Sequence, residues 1–302
     1  MIRLDLLKFL AEGDLKQYTR EIILEYAITP KKGFSQNFVV RKALIDKILA
    51  IAEISEDDRI VEVGGGIGTL TYYLLANAGE VFSYEIDPLL SSILKKEFYN
   101  FKDRLKVISG DFLKEEIIPT QKIISNLPYN ISSPFISRIS NFEIPPSLVV
   151  ITVQEEFANH LCAKTGSSNY SRLSVFSSYF FNFEKIKRIP PEYFYPKPKV
   201  SSCIVKGTPV QSPAIVKEKG FFPFLTALFT RKHRKSRNNF GIYQKKFANQ
   251  DRSKFQKSLD IIENSSKQPI SLTPEEILNF YVEFRHMVKE EFIDANFPEF
   301  KE

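Results

Sequence analysis

IVEVGGGIGTLT, residues 60–71, decides the fold. A β-branched run, IVEV, meets a turn with Gly64, Gly66 and Gly68, and the chain continues as TLTYYLLANA, which reads as a helix. Strand, glycine turn, helix is the opening unit of a doubly wound α/β sheet. Glycines there permit the sharp turn and leave room for a ligand to approach the backbone. Alone, such a turn serves nicotinamide, flavin and S-adenosylmethionine proteins alike.

Outward from this turn the rhythm repeats. RIVEV, EVFSYEI, LKVIS, KIISN and SLVVITV are short, nearly continuous apolar runs separated by helical segments. Runs of that kind belong to a parallel sheet covered on both faces. RLSVFSSYFFNFEKIKRI reads as a helix leading into a strand, and SSCIVKG as a final antiparallel strand. Towards the N-terminus, RKALIDKILAIAEI predicts an amphipathic helix, KKGFSQNFVV at 31–40 a loop, and residues 1–30 helix. Towards the C-terminus, Gly, Pro and Ser cluster in GTPVQSPAI, a linker, and the pattern beyond is mostly helical. Thr273-Pro274-Glu275-Glu276 fits a capping box that starts a helix running to about His286. The expected fold class is α/β: a doubly wound, Rossmann-like sheet with a smaller, mainly helical C-terminal domain. The expected organisation is an N-terminal helical extension at 1–30, an α/β domain at 31–208, and a helical domain at 209–302.

A chain of 302 residues exceeds what one compact core usually holds. Its net charge of +6 favours a polyanionic partner. Two cysteines, Cys162 and Cys203, imply no disulfide framework, which fits a reducing compartment. His160 and Cys162 are neighbours, but no second pair completes a metal-ligand set, so no metal is expected. No apolar stretch is long enough to span a bilayer. Asp5, Glu12 and Asp14 argue against a mitochondrial transit peptide, and no signal-peptide core is present, so the expected location is cytoplasmic.

The charges around the glycine turn separate the candidate cofactors. Glu85 ends the second strand in SYEID, Asp111 the third in ISGDF, and Asn126 the fourth. Open α/β sheets bind ligands at these carboxyl ends. Glu62, Glu85, Asp87 and Asp111 would repel a pyrophosphate but suit S-adenosylmethionine, which carries a sulfonium and an ammonium. Glu85 can accept both ribose hydroxyls, and Asp111 the adenine amino group.

SNLPYN, residues 125–130, follows the fourth strand. An exocyclic base amine is a poor nucleophile because its lone pair is delocalised. Two acceptors aimed at its hydrogens, the Asn126 side-chain oxygen and the Leu127 carbonyl, can draw it towards tetrahedral geometry. Pro128 stiffens the turn, and Tyr129 offers a stacking face for a base taken out of its helix.

These motifs resemble the KsgA family of small-subunit ribosomal RNA adenine dimethyltransferases. The likeness runs from about Lys31 to Phe240 through GFSQNFVV, VEVGGGIGTLT, SYEID, SGDF, NLPYNISSP, VQEEFANHL, NYSRLSV, PPEYFYPKPKVSS and the basic run ending RNNF. It implies cofactor contacts at Asn37, Val39, Gly64, Glu85, Asp111 and Asn126, with Gly66 and Ile86 beside them. It implies base handling by Asn126, Leu127 and Tyr129, with Phe194 stacking on the opposite face of the adenine. Ser35 stands where the family has Gly, Gly65 where it has Pro, and Ser171 where it has Gly. The run RKHRKSRNNFGIYQKK at 231–246 holds no acidic residue. FLTALF upstream should anchor one face, holding Arg231, Arg234 and Arg237, with Lys232 and Lys235, in a stripe towards phosphates. The resemblance makes the sheet one of the S-adenosylmethionine methyltransferase kind, residues 31–208 its methyltransferase domain and 209–302 an RNA- or ribosome-binding domain. The implied activity is dimethylation of two adjacent adenines in a hairpin near the 3′ end of small-subunit ribosomal RNA, within an assembling subunit, by a monomer. Two alternatives stay open: a macrolide-resistance methyltransferase of large-subunit RNA, and an assembly or transcription factor with secondary methyltransferase activity.

Overall fold

The computed structural model describes residues 5–241 and 252–291. Residues 242–246 of the basic run lie outside the described residues. Contacts divide the chain into two compact units, and each is interrupted in sequence. Met1–Ala158 with Phe183–Pro209 form the first, Asn159–Asn182 with Val210–Glu302 the second.

The first unit begins with helices α1 (Leu7–Ala11) and α2 (Leu15–Glu25), the two-residue strand β1 (Phe38–Val39) and α3 (Lys42–Ala52). β2 (Arg59–Val63), α4 (Thr69–Asn77), β3 (Glu80–Glu85), α5 (Pro88–Glu97), β4 (Leu105–Ser109), β5 (Lys122–Asn126), α6 (Ser132–Ser140), β6 (Leu148–Gln154) and α7 (Glu155–Leu161) follow. β7 (Phe181–Ile189), β8 (Phe194–Tyr195) and β9 (Ser202–Pro209) complete it. The main sheet has seven strands in the order β4-β3-β2-β5-β6-β9-β7. β2 to β6 run parallel to their neighbours, and β9 is antiparallel to β6, with Thr152 opposite Ile204. Sequence order reverses at β2, which has β3 on one side and β5 on the other. The crevice beyond the carboxyl ends of β2 and β5 is therefore the ligand position of such a sheet.

Local chemistry sets the element ends. α3 buries Leu44, Ile45, Ile48 and Ala52, one apolar stripe, and stops where Glu53 takes φ +45. α5 starts at Asp87, whose side chain accepts from the Leu89 N–H, with Pro88 at the first helical position. β6 is buried from Leu148 to Val153, as its unbroken apolar run predicts. β7 keeps five consecutive exposed residues, as an edge strand does.

The predicted doubly wound α/β sheet and its antiparallel last strand are present. Two short strands of this unit, β1 and β8, are absent from the sequence reading. β1 lies inside the expected loop 31–40 because it pairs with β8, Phe38 opposite Tyr195 and Val39 opposite Phe194. Local periodicity cannot register so distant a partner.

The second unit contains α8 (Arg172–Ser178), α9 (Phe221–Leu228), α10 (Arg252–Ile261) and α11 (Pro274–Glu291). Its core is aromatic: Phe221, Phe224, Phe240, Tyr281 and Phe284 are fully buried, and Phe240 stacks on Phe284 at 4.9 Å between centroids. The expected capping box forms, with Thr273 and Glu276 bonding each other's backbone N–H. α11 then runs on to Glu291, past the expected end near His286.

Candidate active site

The glycine turn after β2 is held from several sides. Gly64 N–H donates to the Tyr84 carbonyl at 2.7 Å, and Gly66 N–H to Glu85 Oε2 at 2.7 Å. Gly64 has φ +81, and a Cβ there would lie 2.9 Å from Pro128 Cγ, so this turn and the NLPY turn pack directly together. At Gly68, φ +87, a Cβ would fall 2.3 Å from the Phe98 ring. Any side chain at either position has to displace a neighbour.

Glu85 is 5% exposed, and its other oxygen accepts the Asp87 N–H at 2.8 Å. Burial pushes its carboxyl above the ordinary value, against the backbone N–H groups of Asp87 and Gly66. Two anchored oxygens, each with acceptor capacity left, suit a pair of vicinal hydroxyls. Glu62 lies on β2, fully buried, with the hydroxyls of Thr71 and Ser83 on Oε2 at 2.6 and 2.8 Å. Burial pushes it up to about 7, and the nearby Glu85 adds to the shift.

The acidic set read from the sequence divides in the structure. Asp87 points to a different role, because Lys31 Nζ and Gln36 Nε2 both meet its Oδ2 at 2.9 Å. Burial opposes its ionisation, but these bonds and the Leu89 N–H outweigh it and hold its carboxyl below the ordinary value. Asp111 Oδ1 accepts the Leu113 N–H at 3.0 Å, and the residue lines the crevice beside the exposed apolar Ile86.

Residues 31–37 form the opposite wall. Lys31 and Gln36 fasten this segment to Asp87, and Asn130 Nδ2 fastens it to the Gly33 carbonyl at 3.2 Å. Ser35 has φ +49, a left-handed conformation, which explains the glycine that the resemblance places there. Asn37 Nδ2 donates to the Ser35 carbonyl at 2.9 Å, and Val39 lines the crevice from β1.

Asn126 stands at the end of β5. Its Nδ2 donates to the Asn37 carbonyl at 2.9 Å, while its Oδ1 is buried with no partner among the described residues. A buried unpaired amide oxygen is costly unless a ligand completes it. Leu127 N–H bonds the Thr152 carbonyl at 3.2 Å, and the Leu127 carbonyl meets no donor among the described residues. The Tyr129 hydroxyl is 2.5 Å from Ser202 Oγ on β9, and burial raises its pKa. Asn126, Leu127 and Tyr129 thus share one crevice with Asn37, Val39, Gly64, Gly66, Glu85, Ile86 and Asp111.

Phe194 sits elsewhere. It is 3% exposed, part of the hydrophobic core, and is not among the crevice-lining residues. Sequence reasoning also passed over Thr69, the first residue of α4. Thr69 lines the crevice, and its Oγ1 is buried with no partner among the described residues, behind a glycine N-cap that offers no side chain. A hydroxyl residue straight after the turn was the available signal, since free N–H groups and a hydroxyl at a helix N-terminus suit an anionic group.

In the second unit the basic residues are not alike. Arg231, Arg234 and Lys235 are exposed and make no ion pair among the described residues. Lys232 Nζ is held by the carbonyls of Ser168 and Tyr170. Arg237 pairs with Asp260 at 3.3 Å. The segment is two short 3-10 turns, Phe229–Arg231 and Ser236–Asn239, rather than one helical face.

The orphaned Asn126 oxygen, the paired acceptors of Glu85, the Thr69 hydroxyl and a glycine turn packed tightly at Gly64 and Gly68 together fit S-adenosylmethionine. The fold and the site define an S-adenosylmethionine-dependent methyltransferase. Comparison with known proteins agrees. The ribosomal RNA adenine dimethylase family matches residues 28–280. A probable ribosomal RNA small subunit methyltransferase A of Methanococcoides burtonii is 39% identical over 72% of this chain and 80% of that protein. A dimethyladenosine transferase from Plasmodium falciparum superposes with TM-score 0.72 at 28% identity, covering 82% of this chain and 98% of that one. The 23S rRNA methyltransferase ErmE, at 24% identity and TM-score 0.60 over 82% of this chain and 99% of its own, shares the fold. The chain belongs to the ribosomal RNA adenine dimethylase family.

Proposed function

We propose that this enzyme dimethylates the exocyclic N6 of two adjacent adenines in a hairpin near the 3′ end of small-subunit ribosomal RNA, acting as a cytoplasmic monomer on an assembling subunit. The observation that supports it is Asn126: its amide is locked by the Asn37 carbonyl, which leaves Oδ1 as a buried acceptor in the crevice. Asn126 Oδ1 and the Leu127 carbonyl take the two amine hydrogens and concentrate the nitrogen lone pair opposite them. Tyr129, pinned through Ser202, stacks on the flipped base and limits its tilt. Glu85 takes the ribose hydroxyls, Asp111 the cofactor's adenine amine, and Thr69 with the α4 N-terminus its carboxylate. S-adenosylmethionine supplies a methyl group already activated on a sulfonium, so what the chain itself contributes is position. Phe194, if it stacks on the second face of the base, has to leave its buried place on β8. Among the described arginines and lysines of the basic run, Arg231, Arg234 and Lys235 are exposed without an ion pair and available to RNA phosphates. No helix among the described residues is long and apolar enough to cross a membrane.

The relatives favour the small subunit, because their names specify it, whereas the large-subunit enzyme is similar in fold alone. The test is transfer of labelled methyl groups to purified small and large subunits, followed by digestion of the RNA. Dimethyladenine in the small subunit is the expected product. Label confined to the large subunit would overturn the assignment.

A further inference from the structure

Helices α1 and α2 stand apart from the reaction described above, yet α2 reaches the glycine turn. It buries Leu15, Tyr18, Thr19 and Ile22. The Tyr18 hydroxyl donates to the Ile67 carbonyl at 2.5 Å. Ile67 lies between Gly66 and Gly68 and is itself buried. Among the described residues no backbone N–H meets its carbonyl. Burial pushes the Tyr18 phenol well above its ordinary value, and Glu97 and Tyr26 add to this, so it stays an O–H donor.

The peptide unit joining Ile67 to Gly68 is thus held at both ends. Gly68 N–H donates to the Gly65 carbonyl at 2.9 Å, and Tyr18 holds the Ile67 oxygen. Both flanking glycines have positive φ, +58 and +87, and glycine resists a peptide flip less than any other residue. Without the Tyr18 hydroxyl the buried carbonyl is orphaned. The turn then loses one of its two anchors at the point where Gly66 and Ile67 line the crevice that the cofactor has to occupy.

We propose that Tyr18 is a positioning residue for S-adenosylmethionine, fixing the crown of the glycine turn from the N-terminal helices. This rests on the cofactor assignment. Its signature is lost affinity with retained chemistry, since apparent Kd rises by the inverse of the fraction of chains whose turn is correctly set.

A control lies in the bond between α4 and α1. The Tyr73 hydroxyl donates to the Leu10 carbonyl at 2.6 Å, a buried bond that ties α1 down away from the turn. In the full chain, Tyr18→Phe should raise the Kd for S-adenosylmethionine by calorimetry about tenfold, as for a turn correctly set in a tenth of chains. Its kcat at saturating cofactor should stay within about twofold of wild type, with the change confined to the cofactor KM. Tyr73→Phe should lower the melting temperature and leave cofactor Kd unchanged. Replacing Tyr18 with 4-aminophenylalanine, which keeps a donor at the same ring position, should restore affinity. Wild-type Kd in Tyr18→Phe would overturn the proposal, as would an equal rise in Tyr73→Phe or no rescue by the amino analogue. A wild-type protein that fails to bind S-adenosylmethionine would instead overturn the cofactor assignment, and the proposal with it.

Discussion

Replacing Asn126 by alanine removes two separable interactions. The first is the bond from Nδ2 to the Asn37 carbonyl, 2.9 Å long, which anchors the wall formed by residues 31–37. A neutral hydrogen bond of this kind contributes about 1 kcal/mol net, so cofactor Kd should rise by about fivefold. The second is Oδ1, which has no partner among the described residues. Its acceptor role strengthens only as the amine becomes tetrahedral, so its loss should appear in the transition state. Removal of one preorganised polar group at a comparable centre costs about 100- to 1000-fold in kcat. The expected result is therefore asymmetric: kcat down at least about 100-fold at saturating cofactor, with RNA affinity unchanged. Single-turnover methylation of purified small subunits gives the rate, and calorimetry gives the cofactor Kd. A rate within about fivefold of wild type once cofactor saturates would mean that Asn126 only builds the wall, and that the acceptor lies elsewhere.

Tyr129→Ala should lose about 1–3 kcal/mol of base stacking and let mono-methyladenine accumulate in digested RNA, whereas Tyr129→Phe should keep most activity; identical product ratios would make Tyr129 a packing residue. Neutralising Arg231, Arg234 and Lys235 together should reduce the log–log salt slope of subunit binding by about 2, while Arg237→Gln, already paired with Asp260, should change it little; the reverse pattern would relocate the RNA contact. Glu62, pushed by burial from 4.5 up to about 7, binds its proton more tightly folded than unfolded, so its stabilising effect is complete below about pH 4.5 and is lost as pH rises through about 7. Glu62→Gln should flatten stability against pH across that window by up to about 3 kcal/mol, measured by urea titration; an unchanged profile would show that Glu62 does not titrate there.

The sheet was legible because each strand is local and apolar, and because its glycine turn and strand-end polar residues carry their own signals. Gly64, Gly66, Glu85, Asp111, Asn126, Leu127 and Tyr129 were legible for the same reason: each sits at a strand end or in a turn, whereas Asn37, Val39 and Ile86 came only from the family resemblance. What local pattern could not show depends on distant pairs. β1 needs β8, and Asp87 reads as part of an acidic rim although Lys31 and Gln36 occupy it in the folded chain. Thr69 reads as an ordinary helix start until its hydroxyl is found buried with no partner among the described residues. The stripe read from the basic run is divided in the folded chain, because Lys232 is held by the carbonyls of Ser168 and Tyr170 and Arg237 pairs with Asp260.

Both units are discontinuous in sequence, and this orders events during synthesis. β7 is made before β9, but β9 lies between β7 and the rest of the sheet. Until Ser202–Pro209 has left the ribosome, β7 has no edge to join. The 24-residue excursion Asn159–Asn182 waits longer still, because its unit is completed only by the chain after Val210. Phe176 and Tyr179 lie against Phe222 and Phe221, more than 40 residues later. Each of these closures has a long loop to bring together before any contact rewards it, which places them among the slow steps of folding. A nascent chain stopped at residue 209 could complete the seven-stranded sheet while leaving the aromatic residues of α8 without the helices that bury them.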